Sequence, residues 1–209
     1  MPQSDRPAPE CMVLGGPNGA GKTSLYRRLQ LPGQFVNADE VAKTIDAHRP
    51  ESASLEAGRR VLDTIDRLLA GREDFAYETT LSSRQSVNLL RRAQKIGYRT
   101  LLVFIALESA DLHVLRVAQR VRMGGHAIPE EAIRRRYEAT FRNLGEVAGV
   151  CDAVSVYDNS SAEGYRLVLE LAAGTIATNS LSRTRPFDSR IAACVAPALS
   201  MRAEDLLVG

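Results

Sequence analysis

Gly16-Pro17-Asn18-Gly19-Ala20-Gly21-Lys22-Thr23 packs three glycines, a lysine and a hydroxyl into eight residues. The spacing is G-x-x-x-x-G-K-[ST], and each residue type has a reason to be there. Glycines let successive backbone N–H groups turn inward around phosphate oxygens. The lysine reaches the β- and γ-phosphates, and the Thr23 hydroxyl is placed to bind Mg²⁺. With Ser24, residues Gly16 to Ser24 form a cradle for the phosphates of ATP or GTP. Only three of the 27 basic residues are lysines (Lys22, Lys43 and Lys95). A lysine inside this loop of an arginine-rich chain therefore marks a place where arginine would not serve.

Two carboxylates follow at short range. Asp39 closes Phe35-Val36-Asn37-Ala38-Asp39 at the start of an expected helix. It reads either as a helix N-cap or as a general base that takes the proton of an acceptor hydroxyl. Glu78 ends the apolar run Phe75-Ala76-Tyr77-Glu78, where an acid can hold a Mg²⁺ water or an acceptor hydroxyl. Thr79, Thr80, Ser82 and Ser83 add hydroxyls, with Arg84 next to them.

A third group is cationic. Arg134 has Glu130 and Glu138 at i±4, and Arg135 has Glu131, so both read as helix-surface pairs. Arg116, Arg120, Arg122 and Arg136 have no acid three or four residues away. Flanking the Gly124-Gly125-His126 break, they suggest a lid that carries Arg120 and Arg136 onto transferring phosphate. His126 reads as a loop residue or a phosphate contact, because no second His or Cys has metal-ligand spacing.

These residues need a scaffold, and the pattern supplies one. Short apolar strands at Cys11–Leu14, Gln34–Asn37, Phe75–Glu78, Arg99–Leu107 and Ala153–Tyr157 alternate with amphipathic helices. The helices are expected at about 22–30, 54–71, 83–96, 110–122, 128–144 and 163–173. This predicts an α/β fold: a mostly parallel five-stranded sheet with helices on both faces and an arginine-bearing lid. Ligands of such sheets sit outside the carboxyl ends of the strands, here at Gly15-Gly16, Asp39 and Glu78. Residues 1–10 read as a loose leader and 11–174 as the domain. Residues 175–209, rich in Ser, Thr, Arg and Pro, read as a weakly ordered tail.

The 209 residues are 44% hydrophobic, enough for one full core, and carry a net charge of +2. That charge is too small to imply a nucleic-acid or membrane surface. The three cysteines, Cys11, Cys151 and Cys194, read as neutral thiols. With the longest apolar run only Leu101–Leu107, the expectation is a soluble cytoplasmic protein. A GTPase should offer Asn-Lys-x-Asp to read guanine, and no such string occurs.

The phosphate loop, Asn37-Ala38-Asp39, Tyr77-Glu78-Thr79-Thr80-Leu81-Ser82 and Arg120-Val121-Arg122-Met123-Gly124-Gly125-His126-Ala127-Ile128-Pro129 together resemble the zeta toxin family across about residues 11 to 158. The resemblance implies a P-loop kinase that uses ATP to phosphorylate a hydroxyl of UDP-N-acetylglucosamine, and restraint by a small antitoxin. In that scheme Lys22 and Thr23 hold phosphate and Mg²⁺, and Asp39 is the base. Glu78 and Thr80 bind the acceptor, and Arg120 bridges the phosphates. The full-length toxins carry an arginine soon after the glutamate, where this chain has Ser82, and their larger acceptor-binding insertions are absent or shortened here. Two further readings stay open: a kinase for another hydroxyl compound, and an ATP-binding switch that hydrolyses slowly.

Overall fold

β1 (Glu10–Gly15) is buried from Cys11 onward, as a strand covered on both faces must be. Its alternate residues serve two layers. Cys11 and Val13 join Phe75, Tyr77, Leu102 and Phe104 in the main core. Met12 and Leu14 pack on the other face with Ala76, Val103, Ile105 and Leu25. The computed structural model describes residues 7–29, 33–46 and 53–209. Most of the expected leader, together with Gln30, lies outside the described residues.

Seven strands form one sheet in the order β2-β3-β1-β4-β5-β6-β7. β2 (Gln34–Asn37), β3 (Phe75–Thr79), β4 (Arg99–Ala106) and β5 (Ala153–Asp158) run parallel with β1. Between them come α1 (Lys22–Leu29), α2 (Ala38–Ile45), α3 (Ser54–Gly71), α4 (Gln85–Lys95), α5 (Ala110–Arg122) and α6 (Glu130–Ala148). Register brings the chemistry to one edge: Glu78 stands opposite Leu14 on one side and Asn37 on the other, and Gly15 opposite Thr79.

The sheet has two strands more than the five expected, and both are antiparallel. Residues 166–172, expected as helix, are β6 (Arg166–Ala172), paired with β5. Leu167, Leu169 and Leu171 alternate along it, and two-residue alternation is a strand period. β7 (Thr175–Asn179) then pairs back on β6. The hairpin turns on Ala173 and Gly174, both at positive φ (49° and 73°), as a tight two-residue turn requires.

The segment 175–209 is ordered, which corrects the expectation of a weakly ordered tail. α7 (Pro186–Val195), a 3₁₀ turn (Ala196–Leu199) and α8 (Ala203–Leu206) follow β7. Phe187, Ile191, Ala192, Val195 and Leu206 enter the main core, with Phe187 edge-on to Phe141 of α6. The Ser, Thr and Arg content that suggested disorder lies largely on outer faces. Among the described residues no helix is long and apolar enough to cross a membrane. Cys11 and Cys151 are buried free thiols, and burial pushes the Cys11 thiol up to about 12.

Candidate functional site

The loop between β1 and α1 curls over the carboxyl end of the sheet. Gly16 has φ 150°, and a Cβ there would lie 1.9 Å from the Ile105 carbonyl oxygen of β4. Gly21 has φ 96°, and its Cβ would meet Asn159 Nδ2 at 2.7 Å. No side chain fits either position.

Lys22 is buried, and its ammonium donates to the carbonyls of Gly16 (2.8 Å) and Pro17 (3.2 Å). Glu78 Oε1 stands 3.9 Å from it. Burial lowers the Lys22 pKa; the charges of Glu78 and Asp39 oppose that shift, and those of Arg120 and Arg136 add to it. One ammonium thus feels two acids and two arginines from four different elements.

Glu78 Oε2 accepts from the Thr23 hydroxyl at 2.8 Å and from Asn37 Nδ2 at 3.0 Å. Asn37, the last residue of β2, also caps α2: its Oδ1 accepts from the N–H of Asp39 (2.8 Å) and of Glu40 (3.3 Å). Asp39 is therefore not the cap; it is an exposed residue of the first helical turn, with its carboxylate free of the capping role. Thr80 is half-buried, its hydroxyl 2.8 Å from the Ser82 hydroxyl and its carbonyl held by Thr140 of α6. Arg84, near the family's expected arginine, is tied instead to Glu146 at 2.6 Å.

Arg136 donates to Asn18 Oδ1 at 3.1 Å, directly on the phosphate loop. Arg120 donates to the His126 carbonyl at 3.0 Å, which folds the double-glycine turn back on α5. Its Nε is buried without a hydrogen-bond partner among the described residues. Of the other unpaired arginines, Arg116 bonds the Asn159 carbonyl at 2.7 Å and Arg122 is exposed. Arg134 pairs with Glu130, as its spacing suggested, and with Asp111; Glu138 pairs with Arg190.

The sequence reading missed the far side of the loop. His113, fully buried on α5, meets the Asn18 carbonyl at 2.7 Å through Nδ1. A carbonyl only accepts, so Nδ1 carries the proton and Nε2 accepts from the Leu107 N–H at 3.1 Å. Burial pushes the His113 pKa down to about 4; the Asn18 bond opposes this, and Lys22 and Arg116 add to it. Asn159 Nδ2 donates to the Ala20 carbonyl at 2.9 Å, and the Tyr165 hydroxyl to the Gly21 carbonyl at 2.9 Å. In a trans peptide the carbonyl and the following N–H point in opposite directions. Tethering the Asn18, Ala20 and Gly21 carbonyls from behind therefore aims the N–H groups of Gly19, Gly21 and Lys22 the other way. Those N–H groups, with the free ones of the first α1 turn, are the donors an anion needs.

Among the described residues no group of three His, Cys, Asp or Glu side chains could hold a metal unaided. The Thr23 hydroxyl and Glu78 carboxylate form a hard-oxygen pair, which fits Mg²⁺, an ion bound by few protein oxygens with waters and substrate phosphates.

A mostly parallel sheet with a phosphate loop after β1, one acid just past β2 and another near the end of β3, and arginines arriving from α5 and α6 defines a P-loop kinase fold. The zeta toxin family model matches residues 2–167, and the chain belongs to that family. An uncharacterized protein of Haemophilus influenzae is 29% identical over 123 residues, 58% of this chain and 88% of its own. Among solved structures, the PezAT chromosomal toxin–antitoxin system of Streptococcus pneumoniae aligns with TM-score 0.58 and 15% identity, over 92% of this chain and 80% of that one. The AvrRxo1-ORF1:ORF2 complex with ATP aligns with TM-score 0.61 and 15% identity, over 98% and 78%.

Proposed function

We propose that the protein is an ATP-dependent kinase for a small-molecule hydroxyl, with UDP-N-acetylglucosamine as the first acceptor to test. The observation that carries this reading is that Glu78 stands 3.9 Å from the Lys22 ammonium and accepts from the Thr23 hydroxyl, while Arg136 reaches Asn18 of the same loop. The ATP-bound neighbour supports ATP as the donor.

Residues Gly16 to Ser24 hold the phosphates, with Lys22 on the β- and γ-groups. Thr23, with Glu78 behind it, would hold Mg²⁺, which would supply positive charge to the phosphate oxygens. Glu78 is engaged with Thr23 and Asn37, so in this reading it serves the metal side, and Asp39 and Thr80 meet the acceptor. Asp39 takes the acceptor proton as the hydroxyl oxygen bonds to the γ-phosphorus and ADP leaves. Arg120 and Arg136 neutralise the charge that spreads over the transferring group. The pneumococcal neighbour is a toxin–antitoxin system, which supports an antitoxin as partner.

The test is transfer of label from [γ-³²P]ATP to UDP-N-acetylglucosamine and, in parallel, to a metabolite extract. Wild type should label a product and Lys22→Ala should not. Label in the extract alone would assign a different hydroxyl. No label in either, with slow release of phosphate, would replace the kinase by a switch.

A further inference from the structure

Residues beyond 167 lie outside the matched family region, yet one of them connects to the phosphate loop. Asp188 on α7 is completely buried. The Arg166 guanidinium grips it as a fork, Nη2 to Oδ1 at 2.5 Å and Nη1 to Oδ2 at 3.2 Å. The Ser182 N–H adds a third bond to Oδ2 at 2.9 Å. Arg166 Nη2 also reaches Asp158 Oδ2, 3.1 Å away at the end of β5. Asp158 Oδ1 accepts from both the N–H and the hydroxyl of Ser160, whose oxygen in turn accepts from the Glu108 N–H. Asn159 sits inside this knot and Tyr165 immediately before Arg166. Those two residues hold the Ala20 and Gly21 carbonyls.

We propose that Asp188 is a positioning residue for the phosphate loop, acting through Arg166 and Asp158 on the segment that carries Asn159 and Tyr165. A lone guanidinium between two carboxylates has a defined place only while both arms of the fork are filled. Without the Asp188 charge, Arg166 is free to turn wholly to Asp158, and both ends of the 158–166 segment shift. Gly21 leaves little slack, because Asn159 Nδ2 and the Tyr165 hydroxyl lie 2.7 Å and 3.0 Å from where its Cβ would be. The proposal rests on the kinase reading only in taking these carbonyls as part of a nucleotide cradle.

The test compares Asp188→Asn, which keeps the shape and removes the charge, with Val195→Ala, which weakens the same helix through its buried apolar face. Amide hydrogen exchange of the nucleotide-free protein is read on peptides spanning residues 17–25, and affinity by titration with Mg-ATP. Asp188→Asn should speed exchange in the phosphate loop and weaken Mg-ATP about fivefold, the worth of one or two hydrogen bonds. Val195→Ala should lower Tm and leave both readouts at wild-type values. If Asp188→Asn fails to fold, Arg166→Lys, which keeps the charge and loses the fork, takes its place with the same expectation. Exchange in the loop that matches Val195→Ala overturns the proposal. Wild type that does not bind Mg-ATP would overturn the kinase reading alone, because the exchange arm uses no nucleotide.

Discussion

The two flanks of the phosphate loop are built from opposite materials. Toward β2 and β3 stand Asp39, Glu78 and the Thr23 hydroxyl, charged or ionically coupled and open to solvent in part. Toward β4 and β5 stand His113, Asn159 and Tyr165, all neutral, and they bond backbone carbonyls. The difference separates two tasks. Charge is useful where reacting atoms and cations must be met. A backbone peptide is better aimed by a neutral donor, which satisfies a carbonyl without adding a charge that competes for phosphate.

The sharpest way to break this division is on the charged flank. Asp39→Asn should bind Mg-ATP normally but transfer phosphate at least about a hundredfold more slowly. Because Asn37 caps α2, Asp39→Ala should behave the same way, with little change in Tm. Full transfer by both variants would rule out Asp39 as the base and make Glu78, on the same flank, the next candidate.

On the neutral flank the largest effect should be acid sensitivity. His113 is neutral in the fold down to about pH 4 and titrates near 6.5 when unfolded. Between those values the unfolded chain binds the extra proton, so stability falls as pH drops through the window, by about 3 kcal/mol in all. Denaturation of wild type and His113→Gln across pH 4–7 should show a steeper fall in stability for wild type than for the variant. Parallel slopes would mean the imidazole is not held neutral. Tyr165→Phe is the smallest change, one hydrogen bond to the Gly21 carbonyl. It should cost about fivefold in Mg-ATP affinity and leave the acceptor KM unchanged. A shifted acceptor KM would blur the division between flanks.

Local strings made one flank legible and not the other. Gly16 to Thr23, Asp39 and Glu78 each belong to a short segment whose residue types state a chemistry. Asn159 and Tyr165 lie 139 and 144 positions from the carbonyls they hold, and nothing around them marks a partner. The five parallel strands were readable because each is a short apolar run between helices. β6 was not: its leucine content satisfies a helix as readily as a strand, and Ala173-Gly174 is a weak turn signal. The spacing of Leu55, Val61, Leu62, Ile65, Leu68 and Leu69 predicts a helix over 54–71, yet Leu55 and Leu62 are exposed, because only the Val61, Ile65, Leu68 and Leu69 side enters the main core. In the last 35 residues, composition averaged over Ser, Thr and Arg concealed four apolar residues of α7 at core spacing.

The distance between the loop and its tethers also sets a timetable for biosynthesis. Residues 15 to 24 leave the ribosome early, but the hydroxyl that holds the Gly21 carbonyl is residue 165. At ordinary rates of synthesis about 7–30 s separate the two. For that interval the nascent chain carries the phosphate-binding string without the framework that aims it. Until residue 165 has been added, the Gly21 carbonyl has no side chain to hold it from behind.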